Sequence, residues 1–284
     1  MTDASMTTAS TYDYRYAPNR FVTVGNIRFA YRELGPRGGM PLVLLNHWGA
    51  VLDNFDPRIV DGLAASHHII ALDYQGIGLS GGLAPLTVDG MARDVIGKLG
   101  FSTVDVLGFS LGGFVAQDIA LKAPTLVRKL ILTGTGPAGG AGIERVGAVS
   151  WPLIFKGMHT LRDPKTYLFF TSTKNGRRAA KDFLGRLKER KQDRDKDPTP
   201  RAFLRQLAAI KAWGRQAPQD LGQIRLPVLV ANGDNDIMVP TSNSRDMARR
   251  LPNAELIIYP DAGHGGIFQY HAEFVPKALA FLAA

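Results

Sequence analysis

Residues 104–113 read VDVLGFSLGG. The apolar run VDVLGFS has the makings of a short buried strand, and FVAQDIALKA, just beyond, those of a helix. Between them Gly108-Phe109-Ser110-Leu111-Gly112 fits G-x-S-x-G, the turn that lifts a serine clear of a sheet edge. Such a turn strains the serine backbone, and flanking glycines give the chain room. The helix that follows offers unpaired N–H groups and a positive dipole end to a developing oxyanion. A serine that merely caps a helix is the plainer reading. The strand before the turn and the helix after it favour a nucleophile.

Outward from this turn, strand and helix alternate at short intervals. FVTV and IRFAYREL flank Gly25-Asn26 as a β-hairpin. PLVLLNH (41–47), HHIIALD (67–73) and KLILTGT read as strands. DPRIVDGLAAS reads as a helix capped by Asp56 with Pro57 in its first turn. TVDGMARDVIGKLG reads as another, capped by Thr87 and ended by Gly100. The alternation stops near residue 136 and resumes with PVLVANG (227–233), SRDMARRL, AELIIYP (254–260) and FVPKALAFLAA. It predicts a parallel sheet covered by helices, built from residues 21–136 and 216–284 and interrupted by a mostly helical insertion at 137–215. Residues 1–20 are polar, lack the apolar stretch of a secretory signal, and are expected to be a flexible or loosely docked extension.

A serine needs a base, and the base needs an orienting acid. Asp234-Asn235-Asp236-Ile237-Met238 follows the strand PVLVANG, and Asp261-Ala262-Gly263-His264-Gly265-Gly266 follows AELIIYP. The chain order Ser110, Asp236, His264 is the Ser–Asp–His order of one fold class. Asp234 abuts the strand end and reads as a turn cap, so Asp236 is the favoured acid; Asp261 is a candidate to orient the histidine loop. His264, among glycines, is the one histidine of six placed to reach the turn.

GFSLGG, ANGDNDIMVP and DAGHGG together resemble the α/β-hydrolase family over about residues 21–284. The resemblance implies a mostly parallel eight-stranded sheet flanked by helices, with 137–215 as a helical cap. LDYQGIGLSGG is similar to the family's Asp-x-Arg-Gly-x-Gly-x-Ser loop, with Gln75 where arginine is usual. NHWGAVLDNFD (46–56) is similar to its oxyanion loop. The oxyanion donors would then be the N–H of Leu111 and that of Trp48 or Gly49. The nearest patterns are enol-lactone hydrolases and cofactor-free haloperoxidase-type esterases. Relatives with an aspartate nucleophile are disfavoured by Ser110.

The expected chemistry is hydrolysis of a small, largely apolar carboxylic ester or lactone, with no cofactor and no metal. Trp48, Phe109, Trp151, Phe155, Met158 and Met238 are the expected pocket walls, with Leu161, Tyr167, Phe169 and Phe170 also on the cap's apolar underside. The rivals are another acyl or carbon–carbon hydrolysis on the same triad, and a binding protein with a vestigial one.

Composition sets outer bounds. At 284 residues, 45% hydrophobic and 21% charged, the chain can bury a sizeable core. It has no cysteine, which excludes disulfides and thiolate chemistry and fits a cytoplasmic setting. No run approaches the roughly 18 apolar residues of a membrane span. The net charge of +9 is concentrated: residues 137–215 carry 18 Lys and Arg against 7 Asp and Glu. The basic run 174–196 is read first as a solvated helix face. Attraction of an anionic substrate, or docking on an acidic surface, are its rivals. Aromatics are not interleaved with these charges as nucleic-acid binding would need.

Overall fold

The computed structural model describes residues 12–284. Strands β1 (Arg20–Val24), β2 (Ile27–Leu34) and β3 (Pro41–Leu45) lead to helix α1 (Pro57–Ala64) and strand β4 (His68–Leu72). Helix α2 (Val88–Leu99), strand β5 (Val104–Phe109), helix α3 (Leu111–Lys122) and strand β6 (Val127–Thr133) follow. Four α-helices then precede the next strand: α4 (Val146–His159), α5 (Lys165–Leu168), α6 (Lys174–Arg186) and α7 (Pro200–Arg215). The chain closes with β7 (Val228–Gly233), α8 (Ser242–Arg250), β8 (Ala254–Tyr259), α9 (Gly266–Gln269) and α10 (His271–Ala283).

The eight strands form one sheet in the order β1-β2-β4-β3-β5-β6-β7-β8. β1 and β2 pair antiparallel, as do β2 and β4; all other pairs are parallel. Every residue of β3, β4, β5 and β7 is buried, as expected for strands covered by helices on both faces. The local signals act as read. Asp56 accepts from Arg58 N–H at 3.0 Å and Thr87 from Gly90 N–H at 3.0 Å, and Gly100 ends α2 at φ 61°. Strand order reverses at β3, which has β4 on one side and β5 on the other. The crevice at the carboxyl ends of such strands is where open α/β sheets bind ligands.

Two expectations fail here. Residues 1–11 lie outside the described residues, but 13–17 are firmly held rather than loosely docked. Tyr14 is buried, its hydroxyl donating to Leu52 O at 2.8 Å and its N–H to Asp61 Oδ1 at 2.7 Å. Arg190 Nη1 donates to the carbonyls of Tyr14, Arg15 and Ala17. Nor is the basic run wholly a solvated face. Arg186 forms a two-pronged bond to buried Asp56, at 2.9 and 2.7 Å, and Arg194 reaches buried Asp53 at 3.1 Å. Three of the run's ten cations, Arg186, Arg190 and Arg194, pin the 137–215 segment to acids of the sheet domain, a partnership that no local pattern discloses. Lys174, Arg178, Lys181, Lys188 and Lys191 are exposed.

Candidate active site

Ser110 sits between β5 and α3 at φ 57°, ψ −117°, one of four non-glycine residues with positive φ among those described. Its N–H donates to Thr133 O at 2.9 Å, and its carbonyl accepts from Gly113 N–H at 2.9 Å and Thr135 Oγ1 at 2.8 Å. The strained turn is thus fixed from three sides. Glycine is required beside it: a Cβ on Gly112 would collide with Leu45 O, and one on Gly108 with the backbone of Gly112 and Gly113. That closeness lets α3 press its N-terminus against β3 and β5. Leu111 is the first residue of α3, where helix geometry supplies no carbonyl for the N–H.

Asp236 lies in the loop after β7. Its Oδ1 accepts from the N–H groups of Met238 and Val239, both at 2.9 Å. Its Oδ2 lies 2.7 Å from His264 Nδ1, and both side chains are fully buried. A carboxylate only accepts, so Nδ1 carries the proton and Nε2 keeps a lone pair. His264 Nε2 is buried without a hydrogen-bond partner among the described residues. The imidazole is wedged between Phe109 and Phe169, with ring centroids 5.0 and 5.3 Å away. Gly265 N–H donates to Phe169 O at 2.8 Å, which anchors the histidine loop to the insertion.

The other two acids play different parts. Asp234 is exposed; its Oδ1 accepts from Ala262 N–H at 3.1 Å and so ties the two loops together as a turn cap. Asp261 accepts from Thr171 and Thr173, both at 2.9 Å, and these bonds hold its carboxyl below the usual carboxylate range. It anchors the start of the histidine loop to the segment before α6.

Ser110 and His264 line one cavity of about 180 Å³. Trp48 and Met238 line it too. Phe109, Trp151, Phe155 and Met158 do not. Phe109 is buried beneath the wall, its ring edge-on to His47, Phe169 and Phe268. Phe155 and Met158 are 60% and 64% exposed, and Leu161 is 94% exposed. The reason is the rotation of α4. It buries Val146, Gly147, Ser150 and Gly157, small residues that admit close approach, and presents Ile154 to the cavity. The aromatic stripe at 151, 155 and 158 lies about a quarter-turn away. Leu168, Phe169 and Phe203 complete the insertion's share of the wall, and Asp163 and Lys165 pair across 3.6 Å at its edge. Phe170 is buried but outside this cavity, and Tyr167 lines a neighbouring one.

The loop after β3 carries both alternative oxyanion donors and His47, which pattern reading passed over. Gly49, at φ 67°, donates its N–H to Gln206 Oε1 at 2.9 Å. Of the two alternative oxyanion donors, Gly49 is therefore engaged, and among the described residues Trp48 N–H is not. The Trp48 ring stacks on Phe203 at 4.2 Å, and its Nε1 donates to Phe203 O at 2.8 Å. His47 is buried against the same cavity and donates from Nδ1 to Trp48 O at 2.8 Å. Burial, with Lys165 and His264 nearby, lowers its pKa to about 3, so it stays neutral. Its position beside Trp48 in NHWG was the available signal. Among the described residues no cluster of His, Asp and Glu could hold a metal, and no helix is long and apolar enough to cross a membrane.

Known proteins bear on this site in three ways. A proline iminopeptidase from Pestalotiopsis fici is 28% identical over 86% of this chain and 92% of its own. A pimeloyl-[acyl-carrier protein] methyl ester esterase from Nitrosomonas europaea is also 28% identical, over 84% of this chain and 93% of its own. Among solved structures, an alpha/beta hydrolase fold protein from Chitinophaga pinensis superposes with a TM-score of 0.90. It is 38% identical, over 95% of this chain and 99% of that one. A family model described as alpha/beta hydrolase fold matches residues 41–269, from β3 through the serine turn and both later loops to α9, and the chain belongs to that family.

Proposed function

We propose that this hydrolase cleaves a small carboxylic ester or lactone through an acyl-enzyme. The observation that carries the reading is the buried Asp236–His264 bond, with the free imidazole nitrogen and Ser110 on one cavity. Ser110 Oγ attacks the carbonyl carbon while His264 Nε2 takes the hydroxyl proton. Asp236 keeps the proton on Nδ1 and stabilises the imidazolium. Negative charge on the tetrahedral oxygen falls to the N–H groups of Leu111 and Trp48. His264 then protonates the departing alkoxide. Water, deprotonated by the same nitrogen, attacks the acyl-enzyme and frees the acid. Residues 137–215 act as a cap, closing the cavity with Ile154, Leu168 and Phe203.

A cavity of about 180 Å³, below the roughly 300 Å³ at which ligand pockets usually begin, favours a short acyl or alcohol group. Its wall is mostly apolar, which suits an ester better than the cationic N-terminus of an iminopeptidase substrate. The one carboxylate in the lining, Asp163, is already paired with Lys165.

A fluorophosphonate probe and a panel of p-nitrophenyl esters, lactones and prolyl p-nitroanilide test the reading. Rapid labelling abolished by Ser110→Ala is expected, with ester turnover reduced at least about 10³-fold in that variant. Ester turnover that survives Ser110→Ala, or faster cleavage of the anilide than of every ester, would overturn it.

A further inference from the structure

Beside the active-site cavity lies a second one of about 600 Å³. The two share Leu168 as a common wall. Asn235 and Gly263 line the second cavity, each one residue before Asp236 and His264. A molecule seated there would run along the outer side of the two loops that hold the acid and the base.

Lys156, Arg162 and Arg177 converge on this cavity, and among the described residues no carboxylate lines it. None of the three forms an ion pair among the described residues. Lys156 lies over the Tyr167 ring at 4.5 Å, and Arg177 donates to Ser172 O. Other cations of the same segment differ: Lys165, Arg186, Arg190 and Arg194 each lie within ion-pair reach of an aspartate. Arg186, Arg190 and Arg194 hold the cap to the sheet domain, and Lys165 pairs within the cap with Asp163. The three in the cavity serve no such purpose, and a concave wall of one charge focuses its field on an incoming anion. Hydroxyls of Thr166 and Ser172 add hydrogen-bond donors for oxyanion oxygens.

We infer that this cavity is a binding subsite for an oxyanion, a carboxylate or phosphate carried on the non-reacting end of the ester. The inference rests on the ester-hydrolase reading for the position of the reacting end. It assigns the substrate a short ester at Ser110 and an anionic tail passing Leu168 to Lys156, Arg162 and Arg177.

The test measures binding to the Ser110→Ala protein, so that it does not depend on turnover. The probes are ethyl hexanoate, monoethyl adipate and ethyl 6-phosphonooxyhexanoate, titrated calorimetrically at low ionic strength. At least one charged probe is expected to bind about tenfold or more tightly than the neutral one, and the tighter of the two identifies the oxyanion. Raising the salt to about 0.5 M should narrow the gap. K156Q/R162Q/R177Q should remove it, with circular dichroism checking that the variant is folded. R162Q alone should cut it about threefold. Equal affinity for charged and neutral probes, or a gap that survives the triple substitution, would refute the subsite. Failure of the nucleophile assignment appears separately, as labelling that persists without Ser110.

Discussion

Replacing Asp236 by asparagine is the sharpest probe of the catalytic machinery, because the surrounding bonds dictate how the new side chain must sit. Asp236 Oδ1 accepts from two backbone N–H groups at 2.9 Å. An amide NH₂ in that place would face two donors, so the asparagine keeps its oxygen there and turns its nitrogen to His264. The imidazole nitrogen 2.7 Å away must then become an acceptor. Its proton moves to Nε2, which loses the lone pair that a serine hydroxyl needs. Volume and most hydrogen bonds are preserved, so the fold should be retained. The expected loss in kcat is about 10⁴-fold, or about 5.4 kcal/mol of barrier. Asp234→Asn is the control. Its oxygen can still accept from Ala262 N–H at an exposed site, and kcat should change by less than about threefold. Steady-state hydrolysis of a p-nitrophenyl ester, with thermal unfolding of each variant, makes the measurement. An Asp236→Asn enzyme retaining more than a tenth of the parent kcat, or an Asp234→Asn enzyme that loses more, would refute the assignment.

The remaining predictions concern stability. Ser110→Gly should abolish turnover yet raise the melting temperature by about 2 °C. Relief of about 1–3 kcal/mol of strain at φ 57° exceeds the roughly 0.5–1 kcal/mol entropic cost of glycine, and a lowered melting temperature would contradict this. His47, with a pKa near 3 when folded and near 6.5 when unfolded, binds fewer protons in the native state between those values. Its contribution is therefore complete above pH 6.5 and is lost as the pH falls, by about 1.4 kcal/mol per pH unit. Unfolding curves from pH 4 to 7 should be flatter in His47→Gln than in the parent. Parallel pH profiles for the two proteins would show that the imidazole does not titrate as a buried neutral group.

The sheet domain was legible because its signals are local. Alternating apolar runs, Asp56 and Thr87 caps, and the glycines around Ser110 act within a few residues of where they stand. The loops that bring Asp236 and His264 together were legible because topology assigns them in advance. The segment 137–215 was less so. Its inner face is marked by Gly147, Ser150 and Gly157, whose value is their smallness, while the louder aromatic stripe at 151, 155 and 158 turns elsewhere. Arg186 and Arg190 read as surface charge until Asp56 and the carbonyls of residues 14–17 are brought to them across more than a hundred residues. Partnerships of that span depend on the finished fold, not on any window of sequence.

The stacking of Trp48 on Phe203, with the Gly49–Gln206 bond beside it, gives α7 a mechanical role. A hinge that swung this helix outward to admit a guest would tug the peptide unit meant to receive the carbonyl oxygen. On the proposed mechanism, access to the cavity and stabilisation of the oxyanion would then share one linkage. A segment that swung open would leave the proposed chemistry disarmed, so stiffness at this seam would serve both.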